Sequence, residues 1–387
     1  MSANVLILGG GFGGWVAANK IRNGLPEDYQ VTVIDRNDSS CLGLSLLWLM
    51  TGDRNPDRIS RSFSSLERKG ISFVRGDIDS IDPKQRDVVA GGETFSGDYL
   101  VVALGAELAP ETIPGLQEGG HNCYTLSGAD ALRHAMANFS GGRIVVLTAA
   151  PGYKCPAAPY EAAILLEDFC RSHDLRGKTQ IGLYAAEPGP MGVAGPAVSQ
   201  AVRKMIESKG IVYHPEHQVV EVDPGGHRIH FSNGVEAGYD LLCYVPPHRA
   251  PRAVRESPLI GASGWVEVDR HTMATRFERV YLRFGGCRLD PAETRETASE
   301  GRDVRGERMV ARNVIRDITG KGEAAAYDGR GECYVETGDG LTAYGEGRFY
   351  EDPVPNVTLH SPSSEWNDAK IRYEKEWLEA GIRADED

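Results

Sequence analysis

One stretch near the N-terminus constrains the fold more than any other. Val5-Leu6-Ile7-Leu8 is an uninterrupted apolar run, the pattern of a strand buried on both faces of a parallel sheet. It leads directly into Gly9-Gly10-Gly11-Phe12-Gly13-Gly14, which satisfies G-x-G-x-x-G at Gly9, Gly11 and Gly14. A helix is predicted over residues 15–22 and a second strand over 30–34, ending at Asp35 and Arg36, with the acid about twenty residues beyond the glycines. Each part has a physical job. The glycines, with Phe12 between them as a further cofactor-binding candidate, let the backbone turn and approach a pyrophosphate, and the helix N-terminus stabilises its charge. Asp35 can accept from a ribose hydroxyl. Strand, glycines, helix, strand and acid together point to dinucleotide binding.

A chain of 387 residues has the length of two or three domains. Hydrophobic residues make up 41% and charged residues 25%, which is ordinary globular composition. The net charge of −13 would repel a phosphate backbone, so nucleic acid is excluded as an expected partner. The N-terminus lacks the basic region and apolar core of a signal segment. No transmembrane segment is expected, since the apolar stretch 42–50 is too short to span a bilayer. The 7 cysteines do not read as a disulfide framework. The expected location is cytoplasmic.

A second nucleotide-type unit follows. Residues 141–147 read as a turn and buried strand, 161–171 as a helix and 181–185 as a strand. Between the first strand and the helix, where a nicotinamide diphosphate needs free backbone N–H groups, the loop carries Pro151, Pro156 and Pro159. Proline has no N–H to offer. The scaffold is read as kept and the nucleotide site as lost. The loop holds Cys155 beside Lys154 at the mouth of the helix, a setting that favours a thiolate.

These residues resemble a known family. The segment from Tyr153 to Glu161, with Cys155 inside it, resembles the cysteine loop of sulfide:quinone oxidoreductases and of the flavoprotein subunit of flavocytochrome c sulfide dehydrogenase. Pro246-Pro247-His248-Arg249-Ala250, Ser263-Gly264-Trp265-Val266-Glu267-Val268-Asp269 and Gly331-Glu332-Cys333-Tyr334-Val335-Glu336 extend the likeness along the chain. The strand-and-turn at 98–106, ending at Gly105, resembles the second signature of two-dinucleotide-domain flavoprotein reductases, whose first domain holds FAD. The resemblance implies an α/β fold of two Rossmann-like domains, the second inserted in the first. The FAD domain takes residues 1–110 and 245–320, the nucleotide-free second domain 111–244, and a small C-terminal segment, 321–387, carries Cys333. It also implies a redox-active disulfide between Cys155 and Cys333 beside the flavin, opened by hydrosulfide or a persulfide with one sulfur leaving as thiolate. Glu161 is the implied acid–base residue. The implied partners are a small sulfur substrate and a quinone or cytochrome acceptor, and a homodimer is admitted as the assembly.

Flavocytochrome relatives carry a thioether to FAD at about the place of Cys41, which makes Cys41 the candidate for a covalent link. Cys123, Cys170 and Cys243 sit in apolar settings and read as packing residues. Two features depart from the family: Gly286 stands where the third FAD signature has aspartate, and residues 293–308 are almost wholly charged and polar, reading as a solvated loop or lid. They keep open a fold-retaining flavin- or nucleotide-binding protein with altered catalysis; an NADH:quinone dehydrogenase-like enzyme is the third reading. Tyr373 and Trp377, four residues apart on a predicted helix, are expected to pack onto the body.

Overall fold

A computed structural model describes residues 3–282 and 304–380. The opening strand β1 (Asn4–Leu8) passes into helix α1 (Phe12–Gly24), followed by β2 (Gln30–Asp35), the short helix α2 (Leu46–Thr51), β3 (Ser72–Arg75) and β4 (Tyr99–Val102). β1 is flanked by parallel neighbours on both sides, Val5 facing Val31 on one strand and Tyr99 on the other. That double flanking explains why the run is apolar at every position: Val5 to Leu8 are all at most 1% exposed. Trp15, Ala17, Ala18 and Ile21 bury one face of α1 against the same sheet.

The next strands are β5 (His121–Asn122), β6 (Gly142–Thr148), β7 (Thr179–Ala185), β8 (Val212–His214) and β9 (Leu241–Val245), with helix α3 (Ala158–Ser172) crossing over between β6 and β7. They form a second parallel sheet in the order β5-β9-β6-β7-β8. The chain then returns to the first sheet. β10 (Val280–Leu282) pairs parallel with β4 and completes the order β10-β4-β1-β2-β3, and helix α4 (Val304–Thr319) lies so close to α1 that a methyl on Gly24 would strike Ile315. An antiparallel meander, β11 (Arg330–Gly338), β12 (Leu341–Arg348) and β13 (Asn356–Ser363), and helix α5 (Ser364–Ala380) finish the molecule. The α/β class and the paired Rossmann-like sheets expected from sequence are therefore present.

Several boundaries differ from the expectation: α1 starts at Phe12, ahead of the predicted 15, and β7 at Thr179, ahead of 181. α3 starts at Ala158, ahead of the predicted 161, because Pro159 is tolerated in a first turn, where its missing N–H would have no helical partner. Of the charged segment 293–308, residues from Val304 onward belong to helix α4 rather than to a loop. Met309, Val310 and Val314 bury one stripe of that helix, and Arg312 on another face is exposed. Gly286 and the rest of that segment lie outside the described residues.

Candidate active site

The glycine motif divides into separate duties. Gly9 has a φ of +96°, and a Cβ there would lie 2.5 Å from the carbonyl oxygen of Ala103; only glycine makes this turn. A Cβ on Gly14 would lie 1.8 Å from the carbonyl oxygen of Gly9, so Gly14 sets how closely α1 packs on the strand end. Gly11 has nothing within 4 Å of its Cβ position. It is the N-cap of α1 and supplies no side-chain cap, leaving the first-turn N–H groups for an anion. Asp35 ties the end of β2 to this loop: Gly10 N–H donates to its Oδ2 at 2.7 Å, and Asn37 N–H to its Oδ1 at 2.8 Å. The Asn37 side-chain amide also donates to Oδ1, at 3.0 Å, so one lone pair, on Oδ2, remains for a ribose hydroxyl.

Gly9, Gly11, Phe12, Asp35, Arg36 and Gly105 line a cleft of about 620 Å³. Arg249, Arg252, Arg255 and Lys154 bring positive charge to its wall, with Glu107 among them. The sequence-predicted Gly14 does not face this cleft; its contribution is the helix–strand approach. Cys41 belongs to neither cleft nor cavity lining. It ends a short strand (Ser39–Cys41) opposite Ser60 and packs half-buried against the apolar cluster that also receives Cys155 and Cys333.

A second, smaller space of about 40 Å³ is walled by Cys155, Cys333, Glu161, Cys123, Tyr124, Lys370 and Tyr373, with Lys154 common to its lining and that of the cleft. A water needs on the order of 10–15 Å³ of such volume, so this cavity admits only a very small molecule. Cys155 sits in the loop between β6 and α3 with φ +53°, a conformation a non-glycine residue adopts only when its surroundings impose it. Its carbonyl accepts from Ala158 N–H at 3.1 Å and from the Tyr124 hydroxyl at 3.0 Å. Cys333 comes from β11, and its thiol donates to the Tyr334 carbonyl at 3.3 Å. Burial, then the Glu161 carboxylate, push that thiol up to about 12, against the pull of Lys370.

Behind the cavity lies a buried ionic group that sequence reading missed. Lys370 of α5, 1% exposed, has its Nζ 3.1 Å from Glu161 Oε1 and 2.8 Å from Glu336 Oε1. Glu336 N–H donates to Glu161 Oε1 at 2.9 Å, and the ammonium lies 4.8 Å from the Trp48 ring centre. Its members come from α3, β11 and α5, far apart in sequence, so no local pattern betrays them. Cys123 was read as packing; it is buried, yet it reaches the cavity wall. Cys170 and Cys243 are buried.

In the second nucleotide-type unit the acid after the second strand is already hydrogen-bonded within the chain. Glu187 follows β7, where the acid that holds a coenzyme ribose stands in such units. Here its Oε1 accepts from the Tyr160 hydroxyl at 2.7 Å and from Tyr153, and its Oε2 from Thr148 at 2.8 Å. Tyr373 and Trp377 face inward, both ring centres 6.4 Å from that of Phe12, so α5 is clamped to the start of α1.

Residues 3–301 match the family described as pyridine nucleotide-disulphide oxidoreductase. The mitochondrial sulfide:quinone oxidoreductase of Mus musculus is 24% identical over 363 residues, covering 90% of this chain and 79% of that protein. The sulfide-quinone reductase of Aquifex aeolicus is 25% identical over 405 residues, covering 98% and 91% respectively. The solved sulfide:quinone oxidoreductase from Aquifex aeolicus superposes with a TM-score of 0.84 at 21% identity, over 97% of this chain and 91% of that one. The chain therefore belongs to the pyridine nucleotide-disulphide oxidoreductase family and is an oxidoreductase.

Proposed function

We propose that this chain is an FAD-dependent oxidoreductase that oxidises sulfide, or a related small sulfur compound, through a Cys155/Cys333 redox disulfide and delivers the electrons to a quinone, cytochrome or other acceptor. The observation that carries the reading is the single small cavity shared by Cys155, Cys333 and Glu161. The cleft suits FAD: an uncapped helix N-terminus, an open Gly11, a tight Gly9 turn and the Asp35 carboxylate meet in a space large enough for a coenzyme. Gly11 and the first turn of α1 would hold the diphosphate, with Asp35 on a ribose. FAD bound there supplies the two-electron acceptor.

The chain's own residues account for the sulfur step. Lys154 brings positive charge to the cavity wall and draws in hydrosulfide. The anion attacks one sulfur of the disulfide, the S–S bond breaks, and the other sulfur leaves as thiolate. Glu161 exchanges the proton. The wall of Leu46, Leu47 and Ala158 excludes bulk water. A thioether from Cys41 to the flavin belongs to this reading on the family resemblance alone; colour that stays with acid-precipitated protein would establish it. Among the described residues no helix is long and apolar enough to cross a membrane, and a cytoplasmic, homodimeric protein is proposed, to be checked by fractionation and gel filtration.

An anaerobic titration tests the reaction. Stoichiometric bleaching of the flavin by sulfide, abolished in Cys155→Ser, is expected; bleaching that persists in the variant overturns the disulfide route. A colourless protein that cannot be reconstituted with FAD would support the non-catalytic reading. The NADH-driven reading is opposed by Glu187, already engaged by the hydroxyls of Tyr160 and Thr148, and nicotinamide-driven bleaching would revive it.

A further inference from the structure

The group behind the cavity has more acid than the proposed reaction uses. Glu161, Glu336 and Lys370 are 3%, 5% and 1% exposed, and two carboxylates flank one ammonium at 3.1 and 2.8 Å. With both acids ionised the group would carry an uncompensated negative charge in a low-dielectric site, which burial strongly disfavours. With one acid protonated it is neutral. Glu161 and Lys370 face the cavity with Cys333, whereas Glu336 is absent from the cavity lining.

We propose that Glu336, Lys370 and Glu161 form a buried one-proton store for Cys333, in which Glu336 holds the proton at rest, Lys370 passes it to the cavity and the Glu161 carboxylate holds the Lys370 ammonium in place. This rests on the proposed disulfide chemistry and makes Cys333 the sulfur that leaves. Hydrosulfide adds to Cys155 sulfur as the Cys155–Cys333 bond breaks, giving a Cys155 persulfide and a Cys333 thiolate. The Lys370 ammonium releases a proton toward that thiolate and takes one from the Glu336 carboxyl. The net products are a Cys333 thiol and a Glu336 carboxylate, with no electrons consumed beyond those of the S–S exchange. The titratable groups facing Glu336 are Lys370, Glu161 and Asp53, and Glu332 also faces Cys333. Burial raises the Glu336 carboxyl first of all, against the pull of Lys370, consistent with its being the resting holder.

Two readouts on purified holoprotein are independent of sulfide turnover. Infrared spectroscopy should show the carbonyl stretch of a buried protonated carboxylic acid at neutral pH in wild type, lost in Glu336→Gln. Iodoacetamide alkylation of Cys333 in a Cys155→Ser background, followed by mass spectrometry, should run about tenfold faster at fixed mildly alkaline pH in Glu161→Gln, which removes an anion. It should be unchanged in Glu336→Gln, which swaps one neutral group for another. A band that survives in Glu336→Gln, or a Glu336→Gln variant that alkylates as fast as Glu161→Gln, overturns the store. If Glu336→Gln does not fold, absence of the band from wild type at neutral pH overturns it equally. Failure of sulfide to bleach wild-type flavin is a separate result, which refutes the proposed reaction while leaving these two readouts in place.

Discussion

Two glycines in one motif are predicted to fail in opposite ways when replaced by alanine. A Cβ at Gly14 would stand 1.8 Å from the Gly9 carbonyl oxygen, so α1 must retreat by more than an ångström from the strand that it caps. Overpacking of this kind costs about 1–3 kcal/mol, and it displaces the helix N-terminus as well, so Gly14→Ala should lower both the melting temperature and flavin affinity. At Gly11 the backbone has φ −61°, which alanine adopts freely, and no atom lies within 4 Å of the added methyl. The lost N-cap preference and the reduced unfolded-state entropy offset each other to within about 1 kcal/mol. The methyl nevertheless occupies the cleft where a diphosphate would approach. Gly11→Ala should therefore melt like wild type as apoprotein and bind FAD at least about tenfold more weakly, roughly 1.4 kcal/mol. Thermal unfolding of the apoproteins and fluorescence titration with FAD separate the two effects. A Gly11→Ala variant destabilised as much as Gly14→Ala, or one with wild-type FAD affinity, would refute the division of labour.

Further outcomes follow from the same geometry. Trp377, 2% exposed and with its ring centre 6.1 Å from that of Trp15, should cost about 3–5 kcal/mol when replaced by alanine; a wild-type denaturation midpoint would contradict its anchoring role. Glu107 lies between Arg249 and Arg255. Burial raises its carboxyl, but the Arg249 hydrogen bond and the neighbouring charges outweigh it, and the net shift is downward. Its contribution is thus present above the ordinary glutamate value of about 4.3 and fades as pH falls through the lower folded value. Glu107→Gln should be less stable than wild type by up to about 1 kcal/mol at neutral pH, a gap that closes in acid; a gap independent of pH would contradict the ion pair.

What the sequence disclosed was what is local. The apolar run at Val5–Leu8, the glycines and Asp35 lie within one βαβ unit, so period and spacing alone recover their arrangement. Cys155 was singled out by its loop at a helix mouth, Cys333 and Glu161 by likeness, and their shared cavity is a product of tertiary folding, since β11 lies far along the chain from the loop that carries Cys155. Lys370 gave no signal, and Glu336 stood only as the last residue of the likeness over 331–336 with no role attached: a lysine in a charged amphipathic helix and a glutamate in an alternating strand both read as solvent-facing, and only the docking of α5 and β11 onto α3 buries them. Gly14 was read as touching the cofactor because the motif does not distinguish a glycine needed for approach to ligand from one needed for packing. Glu187 was missed because its engagement depends on Tyr153, in the loop before α3, and Tyr160, in the first turn of α3, both distant from it in sequence.

The most direct test is peptide mapping of the oxidised protein by mass spectrometry without reductant, before and after one equivalent of sulfide. The account predicts a cross-linked peptide pair joining Cys155 to Cys333, replaced on sulfide addition by separate peptides with one carrying an extra sulfur. Flavin bleached by sulfide while Cys155 and Cys333 never appear joined would contradict it.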